Sequence, residues 1–161
     1  MTDHPTVDVS ILPVTRDNWR ALLSLAVSAE QARFVSGYAP IAAIMLAKAY
    51  VGPGALTWRP YAIYERGVPV GMVELASDDD SEDRYWVYHF FIDRAHQRRG
   101  LGAAAMAGFI ELIQREHPRC RRISLTVHPE NHLAQRLYER LGFLRTGGEQ
   151  DGEPVFVLEV A

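Results

Sequence analysis

Gln97-Arg98-Arg99-Gly100-Leu101-Gly102-Ala103 stands between an apolar run, Tyr85 to Ile92, and a run of helical periodicity, Leu101 to Glu116. The first run reads as a strand and the second as a helix, so the stretch is a strand–turn–helix junction. Such a junction makes an anion site. The N–H groups of the first helical turn have no intrahelical partner, and the helix dipole favours negative charge there. Gly100 and Gly102 let backbone approach a ligand closely, and Arg98 and Arg99 add positive charge. A phosphate-bearing ligand fits this junction.

Three phosphate-binding patterns compete for it. A P-loop requires Lys and Ser/Thr after its last glycine, but Ala103 and Ala104 follow Gly102. A dinucleotide fingerprint requires an acidic residue about 20 positions on, where Arg121 and Arg122 stand. Too little chain follows for the rest of a doubly wound sheet. The pattern Q/R-x-x-G-x-G/A is matched at every fixed position by Gln97 to Gly102. About 30 residues later comes Asn131-His132-Leu133-Ala134-Gln135-Arg136-Leu137-Tyr138-Glu139-Arg140-Leu141-Gly142-Phe143, which fits N-x-x-A-x-x-L-Y-E-x-x-G-F. Asn131 and Tyr138 are seven residues apart. On a helix they share a face, about two turns apart.

Working outward, residues 7–14 alternate as a strand, and Asp17 can cap a helix running from Trp19 to Val27. An Ala-rich helix spans Ile41 to Tyr50 and stops at Gly52-Pro53-Gly54. Tyr61 to Tyr64, Arg66-Gly67 and Val70 to Ala76 read as a hairpin, and Asp78 to Asp83 as a solvated turn. Met106, Phe109, Leu112 and Ile113 form an apolar stripe on the helix after the glycines. Ile123 to Val127 is a strand. Glu130 to Leu141 is a helix with Leu133, Leu137 and Leu141 on one face. Phe143 to Thr146 is a short strand, Gly147-Gly148 a turn, and Val155 to Val160 a closing strand. The order β-α-α-β-β-β-α-β-α-β gives an α/β layer fold with a mixed sheet. The 161 residues fit one domain, 1–161.

Hydrophobic content of 48% and charged content of 23% suit a soluble globular chain. No run reaches the ~20 apolar residues of a membrane span, and Met1 to Thr6 lacks a signal sequence, so a cytoplasmic location is expected. A net charge of −3 disfavours nucleic acid as a partner. The single cysteine, Cys120, excludes an internal disulfide, and no Cys, His or Asp arrangement around it suggests a nucleophile. His128 and His132 are interrupted by Pro129, and no HExxH occurs, so no metal site is expected.

With both motifs in place, the chain resembles the acetyl-CoA-dependent N-acetyltransferases of the GNAT superfamily. Looser similarities point toward bacterial spermine/spermidine N-acetyltransferases: Gln31, Phe34-Val35-Ser36, Tyr61 to Tyr64, Val70-Gly71, Tyr85-Trp86, Phe90 to Asp93 and Pro129-Glu130-Asn131. The resemblance implies a central, mostly antiparallel sheet of six to seven strands with about four helices, splayed between residues 85–92 and 123–127. It implies acetyl-CoA as cofactor, a small-molecule amine as substrate (polyamine or diamine favoured), and a homodimer, a form common in the family. Phe90, Phe91 and Ile92 would offer backbone to pantetheine and the thioester. Gln97, Arg98, Arg99, Gly100, Leu101, Gly102 and Ala103 would hold the pyrophosphate, and Asn131 the pantetheine amide. Arg98 and Arg99 could instead be solvated, and Asn131 a plain helix cap.

Tyr138 would protonate the departing thiolate. The base stays open. Many relatives carry a glutamate on the strand before the glycine loop, but Trp86, Tyr88 and Phe90, on the same face as Ile92 by simple alternation, are not acidic. Glu74, His89 or an ordered water could serve, with His89 on the opposite face unless a bulge re-aims it. A solvent-facing strand position is the plain alternative for Glu74. Trp86 and Tyr88, with Tyr85, could hold an ammonium by cation–π attraction, or simply pack. The acidic turn could draw in a polycation. Other acceptors stay open: a protein N-terminus or lysine, an antibiotic, an amino acid. So does a non-catalytic acyl-CoA-binding module.

Overall fold

The computed structural model describes residues 7–35 and 39–160. Ser36 and the Met1 to Thr6 segment, both used above, lie outside the described residues. Seven strands form one sheet in the order β1-β2-β3-β4-β5-β7-β6. They are β1 (Val9–Pro13), β2 (Thr57–Glu65), β3 (Val68–Ser77), β4 (Tyr85–Ile92), β5 (Arg122–Thr126), β6 (Leu144–Gln150) and β7 (Glu153–Glu159). Only β4 and β5 run parallel; every other pairing is antiparallel. Among the described residues, four α-helices accompany the sheet: α1 (Trp19–Leu22), α2 (Ile41–Val51), α3 (Leu101–Glu116) and α4 (His132–Arg140). Among the described residues, no helix is long and apolar enough to cross a membrane.

The hairpin turn Arg66-Gly67 has φ of 49° and 78°. Positive φ at both central positions matches the right-handed strand twist, which is why Arg-Gly closes β2 onto β3. Side chains then divide by face. Tyr61, Ile63, Val73, Leu75 and Val87 pack with the α3 stripe of Met106, Phe109, Leu112 and Ile113, all buried as expected. Ala62, Met72 and Phe91 meet Leu22, Ile41, Ala42 and Met45 from α1 and α2 on the other face.

Several local expectations are corrected. The first helix is one turn, not a run to Val27, because tertiary bonds claim the backbone that would continue it. Ala26 N–H donates to Asp93 Oδ1 at 2.8 Å, and the Ala26 carbonyl accepts from Arg94 N–H at 2.8 Å. Asn18, not Asp17, is the N-terminal residue of that turn, and its Oδ1 accepts from Thr15 N–H. Leu133 is exposed; Ala134 and Leu141 are the α4 residues that pack with Tyr138 in the core. Gly147 and Gly148 lie within β6, where its pairing with β7 slips, and the turn is Asp151-Gly152.

The correction that matters most for chemistry is in β4. Glu74 pairs with Tyr88 and Met72 with Phe91, so Val73 alone opposes both His89 and Phe90. His89 has φ of 53°. This bulge inserts a residue and flips the alternation after it. Phe91, not Ile92, therefore continues the face of Trp86 and Tyr88, while Ile92 returns to the face of Val87. Gly71 permits the close approach: a Cβ there would lie 2.3 Å from the Phe91 carbonyl oxygen.

Candidate active site

Parallel strands β4 and β5 touch at a single register pair, Trp86 and Ser124, and diverge beyond it. The wedge they leave is a cleft of about 510 Å³, lined among others by His89, Phe90, Leu125, Asn131 and Tyr138. A second cleft of about 740 Å³ adjoins it and shares Phe34, Val35, Phe90 and Asn131. Its far wall is Arg94, Gln97 and Arg98. The two form a continuous trough from the glycine turn to the strand bulge. The free edge of β4 beyond Trp86 offers backbone donors and acceptors along it, as a pseudo-strand ligand requires.

The glycine turn is braced from behind. Asp93 Oδ2 accepts from Ala95 N–H at 3.2 Å. Gln97 Nε2 donates to the Ile92 carbonyl at 2.9 Å and to Gln31 Oε1 at 2.8 Å, and Gln31 Nε2 donates back to Gln97 Oε1 at 3.1 Å. The Gln97 side chain thus fixes the turn to the strand end and to the segment before the 3-10 turn Ala32–Phe34. Arg98 has φ of 63° and Gly100 φ of 77°, left-handed positions of the kind from which backbone anion nests are built. Among the described residues, Ala104 is the first in this turn whose N–H is taken, by the Gly100 carbonyl at 3.3 Å. Gly102 faces open space enough that a Cβ would meet only ordinary contacts at 3.9 Å, which is why its motif position admits Gly or Ala. Leu101 is buried in the core and Ala103 is exposed. The two arginines part company. Arg98 lines the trough. Arg99 turns away to Glu65 Oε1 at 2.7 Å and His96 Nδ1 at 3.3 Å.

Asn131 caps α4, its Oδ1 accepting from Ala134 N–H at 3.3 Å. The cap uses the oxygen alone, so the Nδ2 donor remains for the cleft. Two turns along, Tyr138 is buried, with its ring 6.5 Å from Phe90 and 5.6 Å from Phe143. Burial holds its hydroxyl well above the usual tyrosine range. It therefore stays protonated and able to donate, and among the described residues it has no protein acceptor.

The remaining candidates meet on the α2 face. Glu74 is fully buried rather than solvent-facing, and both carboxyl oxygens lack a hydrogen-bond partner. Burial raises its pKa to about 8 against the opposing pull of Lys48. The bulge turns His89 toward α2, where its Nε2 lies 2.9 Å from Lys48 Nζ. Burial first, and the Lys48 charge second, lower His89 to about 4. With Lys48 donating, the neutral ring accepts at Nε2 and carries its proton on Nδ1. Burial also lowers Lys48, with Glu74 pulling the other way. The ammonium sits 4.8 Å from the Trp58 ring centroid and 5.4 Å from that of Tyr88, within cation–π range. Trp58 Nε1–H is fixed by the Pro53 carbonyl at 2.9 Å, and Tyr88 Oη accepts from Gln150 Nε2 at 3.1 Å. Trp86 stacks beside Tyr88 at 6.2 Å but does not approach Lys48 within that range.

The sequence pattern names Tyr88, Glu74 and His89, which the fold brings together, and does not name Lys48, Trp58 or Gln150, which lie beside them. Lys48 sits in a helix that reads as plain packing, and Trp58 is separated from Tyr88 by 30 positions. One signal was in reach: Lys48 is the only lysine among 17 basic residues.

Comparison with known proteins bears on this arrangement. The acetyltransferase (GNAT) family model matches residues 45–143. The spermine/spermidine N(1)-acetyltransferase of Bacillus subtilis (strain 168) is 32% identical over 161 residues, covering 96% of this chain and 100% of that protein. The GNAT domain of S. lividans PAT superposes with a TM-score of 0.75 at 21% identity, covering 94% of this chain and 90% of that one. A spermidine N-acetyltransferase from Vibrio cholerae, solved with CoA and spermine, gives 0.70 at 17% identity, with 95% of each chain covered. A family match over more than half of the sequence, on the elements that build the trough, makes this chain a member of the acetyltransferase (GNAT) family: an acetyl-CoA-dependent N-acetyltransferase.

Proposed function

We propose that the protein, acting as one catalytic domain, acetylates a primary amine of a small polyamine or diamine. The observation that carries this reading is the cage on the α2 face. Two aromatic rings, a buried unpaired carboxyl and an imidazole already hold one primary ammonium, that of Lys48, at the edge of the cleft. A pocket of this chemistry suits an alkylammonium acceptor. The full-length similarity to a spermine/spermidine N(1)-acetyltransferase supports the same class.

Acetyl-CoA supplies an acyl group activated as a thioester. The trough fits it by its own chemistry: unclaimed N–H groups at the glycine turn with Arg98 beside them, the Asn131 Nδ2 donor, and free β4 backbone at Phe90 to Ile92. Tyr138 is the general acid, holding its proton until a thiolate needs it. Glu74 and Tyr88 bind the acceptor cation and Trp86 walls that region. Glu74, once ionised, draws off the ammonium proton, either directly or through water. His89, with its Nε2 engaged by Lys48, orients rather than abstracts while that contact lasts. Arg99 acts on the turn by pairing with Glu65 and not on phosphate.

The test is thiol release from acetyl-CoA against spermine, spermidine, putrescine, amino acids, aminoglycosides and short peptides. Turnover confined to the polyamines is the expected result. Turnover with another class alone overturns the acceptor and leaves the acetyltransferase intact.

A further inference from the structure

We infer that Lys48 is an acceptor for the enzyme's own reaction: without a free amine, the protein acetylates its single lysine at Nζ. The inference rests on the trough being the acetyl-CoA site and goes beyond the choice of external substrate.

The geometry makes the case. Lys48 is the only lysine in the chain, and it projects from α2 into the same cleft that Tyr138, His89 and Phe90 line. A surface lysine is a hydrated point charge on a flexible stem. This one is half-buried and held on three sides, by Trp58, Tyr88 and His89. Its hydrogen-bond partner His89 is the bulge residue, one position before the backbone proposed to meet the thioester. Burial lowers its basicity, so more of it is neutral amine than on an exposed lysine. Arginine, which fills the other basic positions, offers no such nucleophile.

The step balances without a further reactant. The neutral Nζ attacks the thioester carbonyl carbon; the N–C bond forms and the C–S bond breaks. Solvent takes the proton that nitrogen sheds while His89 orients the amine, and Tyr138 gives a proton to the departing thiolate. Solvent then reprotonates Tyr138. One amine and one thioester become one amide and one thiol. The product has no charge on Nζ, so the cage loses its internal cation.

A lysine-specific protease reads the outcome directly, since it can cut the denatured chain at only one bond, after Lys48. The folded protein is incubated with acetyl-CoA and no amine, then unfolded and digested, while a parallel sample is assayed for spermidine turnover. The expected result is progressive resistance to cleavage and a mass gain of one acetyl group on the Lys48 peptide. The rate should be at least about tenfold above that of the urea-unfolded chain, because only the folded cleft orients amine and thioester. The Tyr138→Phe variant should slow it, and Lys48→Arg should take up no acetyl at this position. Spermidine turnover with Lys48 still fully cleavable overturns this inference and leaves the proposed function standing. Equal rates in folded and unfolded chains also overturn it. Loss of both turnover and acetylation overturns the two together.

Discussion

Tyr138 and Glu74 are both buried acids held in their neutral forms, and the proposed mechanism gives them opposite tasks. For Tyr138, the raised pKa keeps the hydroxyl protonated, as the proposed general acid must be. Tyr138→Phe should lower kcat by about 10²–10³-fold with little change in the KM for acetyl-CoA, since only the proton donor is removed. Steady-state kinetics at saturating polyamine reads this. A rise in KM with kcat unchanged would show the hydroxyl to be a binding contact. For Glu74, the folded pKa of about 8 stands above the ordinary 4.5, so folding favours the protonated carboxyl. Its stabilising contribution is complete below 4.5 and is lost as pH rises toward 8. Thermal unfolding measured across that window should show the wild type falling relative to Glu74→Gln. Activity should run the other way, with kcat/KM rising through an apparent pKa near 8 in the wild type and losing that limb in Glu74→Gln. A variant that keeps the limb would move the base elsewhere.

At the scale of elements, the β4 bulge decides what the strand can do. An unbulged β4 would send Phe91 into the α3 face and turn His89 away from Lys48. The bulge is fitted by Gly71 opposite, where a methyl would collide with the Phe91 carbonyl oxygen at 2.3 Å. The nearest atom is backbone, which cannot swing aside as a side-chain tip could. Gly71→Ala should therefore cost about 1–3 kcal/mol of stability, read from urea unfolding, and should lower turnover by displacing His89. Gly102→Ala, by contrast, meets only contacts at 3.9 Å and should be nearly neutral in stability. The contrast between these two glycines tests the geometry independently of any activity.

For the whole molecule, the gap between β4 and β5 is an open seam in an otherwise continuous sheet. A pantetheine arm laid along it would pair with the edges and join the two halves. Acetyl-CoA at about 100 times its dissociation constant should add about 2.7 kcal/mol and raise Tm by roughly 5–10 °C. Amide exchange at Phe90, Phe91 and Ile92 should slow more than at Val9 to Pro13 on the far edge. Stabilisation without protection along β4 would place the ligand elsewhere.

The family was legible in the residues alone, as were the glycine turn and the helix cap that border the trough. Gln97 to Gly102 and Asn131 to Phe143 are local patterns, and local patterns survive reading because turn, cap and helix chemistry act over a few residues. The α3 stripe and the strand–turn–helix junction were legible for the same reason. The α4 leucine stripe was only half right: periodicity shows a face, but packing chooses which of Leu133, Ala134 and Leu141 it covers. Helix α1 was overcalled because the bonds that end it come from Asp93 and Arg94, far along the chain. On the proposed acceptor side, Glu74, Tyr88 and His89 could be named from the residues, but their meeting with Lys48 and Trp58 belongs to the tertiary structure. One inserted residue in β4 changes which face each later side chain takes. That shift, with α2 packed across the sheet, gathers Lys48, Trp58, Glu74, Tyr88 and His89 from separate elements into one cage.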